Sequence, residues 1–156
     1  MSLHVVLVEP EIPQNTGNIA RTCAATNTTL HLVRPLGFNI DEKSVRRAGL
    51  DYWRYVDLIV HDSMDKFLSE YGNARLFLAT THGDNCYTDF EYEDGDIFLF
   101  GRETRGLPKE LIGNYNDTAI RIPMSENTRL RSLNLANSVN IVLFEALRQN
   151  GFPGLL

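Results

Sequence analysis

The chain has 156 residues, 43% hydrophobic and 22% charged, a balance that predicts a folded globular protein and excludes a disordered one. The length predicts one domain over residues 1–156, and no apolar run reaches the roughly 18–20 residues that span a bilayer. The net charge of −5 argues against a general nucleic-acid binder, but 10 of the 20 acidic residues lie within 57–100, so the two ends can still build a cationic surface.

Short apolar runs alternate with helix-like segments along the chain. The runs barely alternate with polar residues, which is typical of strands buried on both faces. The predicted strands are His4–Val8, Leu30–Val33, Leu58–Val60, Leu76–Thr80, Ile97–Phe100 and Ala119–Ile122. The predicted helices between them are Gly17–Thr26, Ser44–Ala48, Met64–Tyr71 and Pro108–Asn114. This order predicts an α/β fold with a mostly parallel sheet flanked by helices.

The clearest helical pattern lies near the C-terminal end. Apolar residues at spacings of three and four make one face, which consists of Leu135, Val139, Val142, Leu143, Ala146 and Leu147. Asn134 is the predicted N-cap, Arg148 lies in the predicted last turn, and Gly151 is the predicted C-cap. The apolar face indicates core packing, a dimer interface, or both.

Three segments follow predicted strands, where open α/β sheets bind their ligands. The first, EPEIPQNTGNIAR over residues 9–21, combines a proline-rich loop with a polar helix start at Asn15. Arg21 is predicted in the first helical turn, outside the apolar stripe. Taken alone, this segment favours an ordinary capped helix with a solvated arginine.

The second and third segments follow the strands that end at Phe100 and Ile122. Gly101 would allow a ligand to approach the backbone closely. Ser132 and Asn134 place a hydroxyl and an amide at the start of the last helix, where backbone N–H groups also collect. Simple capping by Asn134 is the alternative interpretation.

Several familiar chemistries have no motif in this sequence. The chain has no P-loop, no GxGxxG fingerprint and no GxSxG elbow. Its four histidines show no metal-ligand spacing, so no metal is expected. Cys23 and Cys86 are too few for a disulfide scaffold, which favours a reduced, cytoplasmic protein.

Taken together, the three segments resemble the SPOUT class of methyltransferases. NTGNIAR at 15–21, FGRETRGLP at 100–108, and IRIPM followed by RSLNLANSVNIVLFEALRQ resemble its three motifs in order. The opening VLVEPEIPQNTGN, the run RRAGLDYW that ends at Trp53, and the closing GFPG are similar to the small TrmL/YibK-type tRNA 2′-O-methyltransferases. The resemblance covers nearly the whole chain.

The resemblance implies an α/β fold whose C-terminal part forms a deep trefoil knot, an arrangement that composition alone would not predict. It also implies S-adenosylmethionine (SAM) bound in the knot and a homodimer packed through the knotted region. The implied reaction is 2′-O-methylation of the wobble nucleotide, C34 or a modified U34, in the anticodon stem-loop of leucine tRNAs. Two alternatives are a methyltransferase for ribosomal RNA or another tRNA position, and a non-catalytic RNA-binding protein.

The motif positions assign site residues. The implied catalytic set is Arg21, Asn15, Glu103, Ser132 and Asn134. The implied cofactor-binding set is Ala79, Gly101, Ile122 and Ser132. Candidates for RNA phosphate contacts are Arg46, Arg47, Arg129 and Arg131. Because a charged guanidinium has no acceptor, Arg21 is better suited to gripping a phosphate than to removing a proton.

Two features depart from the subfamily pattern. The loop Ser125–Arg131 is about two residues longer than in many relatives and should border the cofactor. Phe144 stands where relatives often carry Tyr, so any role of that hydroxyl is absent here.

Overall fold

The computed structural model describes residues 2–40, 43, 47 and 53–156, which form a seven-stranded sheet with helices on both faces. The strands are β1 (His4–Val8), β2 (Thr29–Val33), β3 (Asp57–His61), β4 (Leu76–Ala79), β5 (Asn85–Cys86), β6 (Ile97–Phe100) and β7 (Ala119–Arg121). Their order across the sheet is β3-β2-β1-β6-β4-β7-β5, and all neighbouring strands pair in parallel. The predicted α/β fold with a parallel sheet flanked by helices is therefore confirmed.

All six predicted strands are present, and their ends differ from the prediction by one residue at most. The two-residue strand β5 was not predicted, because Asn85 and Cys86 form no apolar run. It adds the edge of the sheet beside β7.

The helices are α1 (Pro13–Ala25), α2 (Met64–Tyr71), α3 (Lys109–Asn114) and α4 (Leu135–Gln149). Short 3-10 helices cover Trp53–Tyr55, Asn116–Thr118 and Thr128–Leu130. The predicted helix Ser44–Ala48 lies, apart from Arg47, outside the described residues. None of the helices in the described ranges is long and apolar enough to cross a bilayer.

Helix α1 begins four residues earlier than predicted. Its first residue is Pro13, whose fixed φ suits the first position of a helix and whose missing N–H needs no partner there. Arg21 therefore lies in the third turn, not in the first as expected. Asn15 and Thr16, expected at the helix start, lie inside the first turn and are buried.

Helix α4 confirms the predicted N-cap Asn134, and its C-cap is Asn150, one residue before the predicted Gly151. The Asn134 side chain accepts hydrogen bonds from the backbone N–H groups of Ala136 and Asn137 at 2.9 and 3.3 Å. After Gln149, Gly151 adopts a φ of +73°, and Phe152 N–H donates to the Leu147 carbonyl at 2.8 Å. This pattern is a Schellman motif, in which glycine occupies the left-handed position without strain.

The two faces of the sheet bury separate apolar clusters. Alternate β1 residues point to opposite sides, so Val5 and Leu7 join one cluster while Val6 and Val8 join the other. The first cluster includes the apolar faces of α1 and α4, and the second includes Phe67 of α2 and Leu111 of α3. Burial on both faces explains why the strands carry continuous apolar runs.

Candidate active site

A cavity of about 530 Å³ lies where β4, β6 and β7 end. Its lining consists of residues 79–82 from the end of β4, residues 100–107 from the end of β6, residues 120–122 and 124 around the end of β7, and the start of α4. The carboxyl ends of parallel strands are the usual ligand position in open α/β sheets. The volume falls within the range of small-molecule sites, about 300–1,000 Å³.

The cavity collects most of the residues that the sequence motifs single out. All four expected cofactor contacts, Ala79, Gly101, Ile122 and Ser132, line it. Of the expected catalytic residues, Asn15, Glu103 and Asn134 line it together with Ser132. The structure therefore brings together residues that are up to 119 positions apart in the chain, as the Asn15–Asn134 pair shows.

Asn15 and Asn134 connect the starts of α1 and α4. The Asn134 amide donates to Asn15 Oδ1 at 3.1 Å while its own oxygen caps α4. Asn15 is buried, with 7% of its surface exposed, so this bond satisfies a polar group that water cannot reach freely. Capping and a place in the cavity wall are thus combined in the same Asn134 side chain.

Glycine is needed at position 101 for a different structural reason from the one expected. A Cβ at Gly101 would lie 1.9 Å from the Gly106 carbonyl carbon and 2.1 Å from the Leu107 nitrogen. The chain itself turns back here, with Gly106 N–H donating to the Arg102 carbonyl at 2.9 Å. Close approach by the protein's own backbone is therefore what first requires glycine at this position.

Glu103 binds the backbone of the loop that follows β1. Its two carboxylate oxygens accept hydrogen bonds from the N–H groups of Glu11 and Ile12 at 3.0 and 2.5 Å. These contacts join the loop after β6 to the loop after β1. The geometry gives Glu103 a role in holding the loops.

Arg21 stands apart from this group. It lies on the exposed face of α1 and does not line the cavity. A single chain therefore does not place the Arg21 guanidinium in the cavity wall. A role for Arg21 therefore depends on how a substrate lies across α1.

Three of the four arginines proposed for RNA contacts lie in the part of the chain that the structure describes, and all three are exposed. Arg47 lies far along the chain from Arg129 and Arg131, which belong to the loop between β7 and α4. Arg131 donates to the Glu126 carbonyl at 3.3 Å. Arg46 lies outside the described residues.

A second group of cations lines the cavity and was not predicted from the sequence, namely Arg102, Arg105, Lys109 and Arg121. Arg102 pairs with the Glu9 carboxylate at 3.3 Å. The two arginines inside FGRETRGLP were a signal for this group, since they directly follow a buried strand end.

Within the described part of the chain, no group of three or more His, Cys, Asp or Glu side chains could hold a metal ion. His4, His31 and His61 instead form a linear chain across β1, β2 and β3, with ring nitrogens 2.8 and 2.9 Å apart. Burial lowers the pKa of His31 to about 3, so its ring is neutral at physiological pH.

Comparison with known proteins shows clear relatives. The model of the SpoU rRNA methylase family matches residues 2–144. A protein of Geobacillus stearothermophilus, named as a candidate tRNA (cytidine(34)-2′-O)-methyltransferase, is 54% identical over 158 residues, covering 99% of both chains.

Two solved structures share the fold. One, described as giving insight into 2′-OH methylation of C/U34 on tRNA, is 46% identical with a TM-score of 0.91 and covers 96% of this chain and 97% of its own. The other is an rRNA methyltransferase of Sinorhizobium meliloti with bound S-adenosylmethionine. It is 26% identical with a TM-score of 0.84, covering 94% of this chain and 56% of its own.

Proposed function

Because this chain belongs to the SpoU rRNA methylase family, we propose that it transfers a methyl group from SAM to a ribose 2′-oxygen of tRNA. The proposed target is the wobble nucleotide, C34 or a modified U34, of leucine tRNAs. The observation that carries the proposal is the cavity at the ends of β4, β6 and β7, which gathers residues from all three motifs.

The residues of this cavity suit SAM. Buried apolar side chains such as Phe100 and Leu107 can pack against an adenine ring, and Ala79, Gly101, Ile122 and Ser132 offer backbone and hydroxyl groups at its edge. The Sinorhizobium meliloti relative, which shares the fold, was solved with this molecule bound. When bound, SAM would supply an activated methyl group on a sulfonium.

The protein's own groups would then orient the acceptor. Asn15, Asn134 and Ser132 shape one wall, while Glu103 holds the loop that forms another. Positioning alone can lower a barrier by several kcal/mol when the reacting atoms are held in line. Arg21 is proposed to grip the phosphate next to the target ribose and so to orient its 2′-OH.

The RNA surface is proposed to include Arg46, Arg47, Arg129 and Arg131. Three of the cations that line the cavity, Arg105, Lys109 and Arg121, extend this surface towards the site. A local cationic surface attracts the anticodon stem-loop despite the net charge of −5.

We also propose one SPOUT domain over residues 1–156, a deep trefoil knot in its C-terminal part, and a cytoplasmic homodimer that packs through the knotted region. The Asn15–Asn134 bond supports the knot, because it holds the start of α4 against the start of α1. Phe144, 44% exposed on α4, supports a partner at this surface.

The test is methyl transfer from tritium-labelled SAM to bulk tRNA, followed by mass spectrometry of leucine tRNA from a deletion strain. We expect incorporation into tRNA and loss of the 2′-O-methyl group at position 34 in the deletion strain. Label in ribosomal RNA alone would favour the ribosomal alternative. Tight tRNA binding without any transfer would favour a non-catalytic RNA-binding protein.

A further inference from the structure

Two loops leave the centre of the sheet side by side. We call residues 9–12 the β1 loop and residues 101–106 the β6 loop. Strands β1 and β6 are neighbours, with Leu7 opposite Phe100, so the two loops begin at the same level of the sheet. The β6 loop forms much of the cavity wall, and from the β1 loop only Ile12 reaches it.

Each loop carries a carboxylate that binds the other loop. From the β6 loop, Glu103 accepts from Glu11 N–H at 3.0 Å and from Ile12 N–H at 2.5 Å. In the opposite direction, Glu11 Oε1 accepts from Thr104 N–H at 3.0 Å and from Thr104 Oγ1 at 2.7 Å. These crossed bonds form a clamp between the two loops.

Glu11 differs from Glu103 in its position. Glu103 and Thr104 line the cavity, whereas Glu11 does not. The Glu11 side chain therefore acts on the cavity wall through the β6 loop, which it holds at Thr104.

We propose that Glu11 is a positioning residue that keeps the β6 loop in the shape that binds the methyl donor. This inference rests on the proposed function, since it assigns SAM to the cavity. Thr104 is its partner, and Glu103 holds the β1 loop in the same way from the cavity side.

The two carboxylates of the clamp differ in how many of their oxygens accept hydrogen bonds. Both bonds to Glu11 end on one oxygen, Oε1, and a glutamine amide oxygen can accept both. The bonds to Glu103 use both of its oxygens, and a glutamine would present an N–H₂ group to one of the backbone donors. Glutamine should therefore substitute for Glu11 but not for Glu103.

The experiment compares Glu11→Ala, Glu11→Gln and Glu103→Gln with the wild-type protein. Glu70→Ala is the matched control, because it removes an exposed carboxylate from α2, away from the cavity. SAM affinity is measured by titration calorimetry, kcat and KM for SAM by methyl transfer to tRNA, and amide exchange of residues 101–106 by hydrogen–deuterium exchange.

We expect Glu11→Ala to weaken SAM binding about tenfold, the effect of losing roughly one to two net hydrogen bonds. The loss should raise KM for SAM, leave kcat at saturating SAM near the wild-type value, and speed exchange at Thr104. Glu11→Gln and Glu70→Ala should stay within about twofold of wild type, while Glu103→Gln should weaken binding several-fold.

Several outcomes would overturn the inference. Unchanged SAM affinity in Glu11→Ala would remove Glu11 from the positioning role, and a fall in kcat alone would point to a part in the chemical step. Equal damage from Glu11→Gln and Glu11→Ala would show that charge, and not the hydrogen bonds to Thr104, is what counts. If the wild-type protein binds no SAM, the proposed function fails, and the methyl-donor role of Glu11 fails with it.

Discussion

At the scale of single residues, the site depends on backbone shape as much as on side-chain chemistry. Gly101 and Glu103 sit three residues or fewer from the end of β6, and both act on main-chain atoms. The sequence pattern singled out both positions, and the structure shows which atoms they meet.

Gly101 offers a direct test of this point. Gly101→Ala should force the turn open, because its Cβ would overlap backbone atoms 1.9–2.4 Å away. Such overpacking costs about 1–3 kcal/mol, so we expect a melting temperature several degrees lower and weakened SAM binding. Gly113→Ala is the control, because nothing lies within 4 Å of its Cβ position and alanine is the better helix former. Equal melting curves for the two variants would contradict the overlap.

Arg21 tests the proposed chemistry. The side chain is exposed, so Arg21→Ala should change the free energy of unfolding by about 0.5 kcal/mol or less. If Arg21 grips a phosphate, this variant should lose most single-turnover methyl transfer while SAM affinity stays near wild type. Arg21→Lys keeps the charge but lacks the planar fork, so it should also be badly impaired. Wild-type turnover in the alanine variant would exclude Arg21 from the reaction.

At the scale of secondary-structure elements, the histidine chain across β1, β2 and β3 links three neighbouring strands. His31 is fully buried between His4 and His61 and packs edge-on against Tyr71 of α2, with ring centroids 4.8 Å apart. Burial lowers the pKa of all three rings, although Asp57 and Asp94 near His4 and Glu70 near His61 act in the opposite direction.

These lowered pKa values predict acid sensitivity. Between pH 6.5 and about 3, the folded protein binds fewer protons at His31 than the unfolded chain does. The contribution of the neutral His31 ring to the free energy of unfolding is therefore fully present above pH 6.5. It is lost as the pH falls, by about 1.4 kcal/mol per pH unit for one group. Urea unfolding between pH 5 and 7.5 measures the slope. His31→Gln should flatten it, whereas His82→Gln, at an exposed position, should leave it unchanged.

At the scale of the whole molecule, the apolar stripe of α4 is used within the chain. Val139, Val142 and Leu143 are at most 1% exposed and pack in the core shared with α1 and β1. The core-packing interpretation of this stripe is therefore confirmed. Phe144, next along the helix, remains 44% exposed and is the α4 residue best placed for a partner subunit.

We accordingly predict a homodimer that depends on Phe144. Light scattering should give about twice the 17.7 kDa mass of the chain at micromolar concentration. Phe144→Asp should shift the protein towards the monomer, because a charge would be buried without a partner in the interface. Tyr55→Asp changes an aromatic residue that is 66% exposed elsewhere and should leave the mass unchanged. A monomer in the wild-type protein would overturn the dimer.

The sequence by itself determined the α/β fold with its parallel sheet and several residues of the candidate site. Apolar runs that lack alternation require burial on both faces, so they identify the strands of a covered parallel sheet almost to the residue. Local chemistry also fixes the ends of α4, since Asn134 and Gly151 act on backbone groups within a few residues. The three motifs pointed to several of the residues that line the cavity.

Only the tertiary structure decided how those residues meet. The early start of α1 at Pro13 moved Arg21 to a third turn outside the cavity wall, and the strand order placed the β1 loop beside the β6 loop. The crossed bonds of Glu11 and Glu103 join residues more than 90 positions apart. No local pattern encodes such pairs, because the path of the chain between them sets their distance.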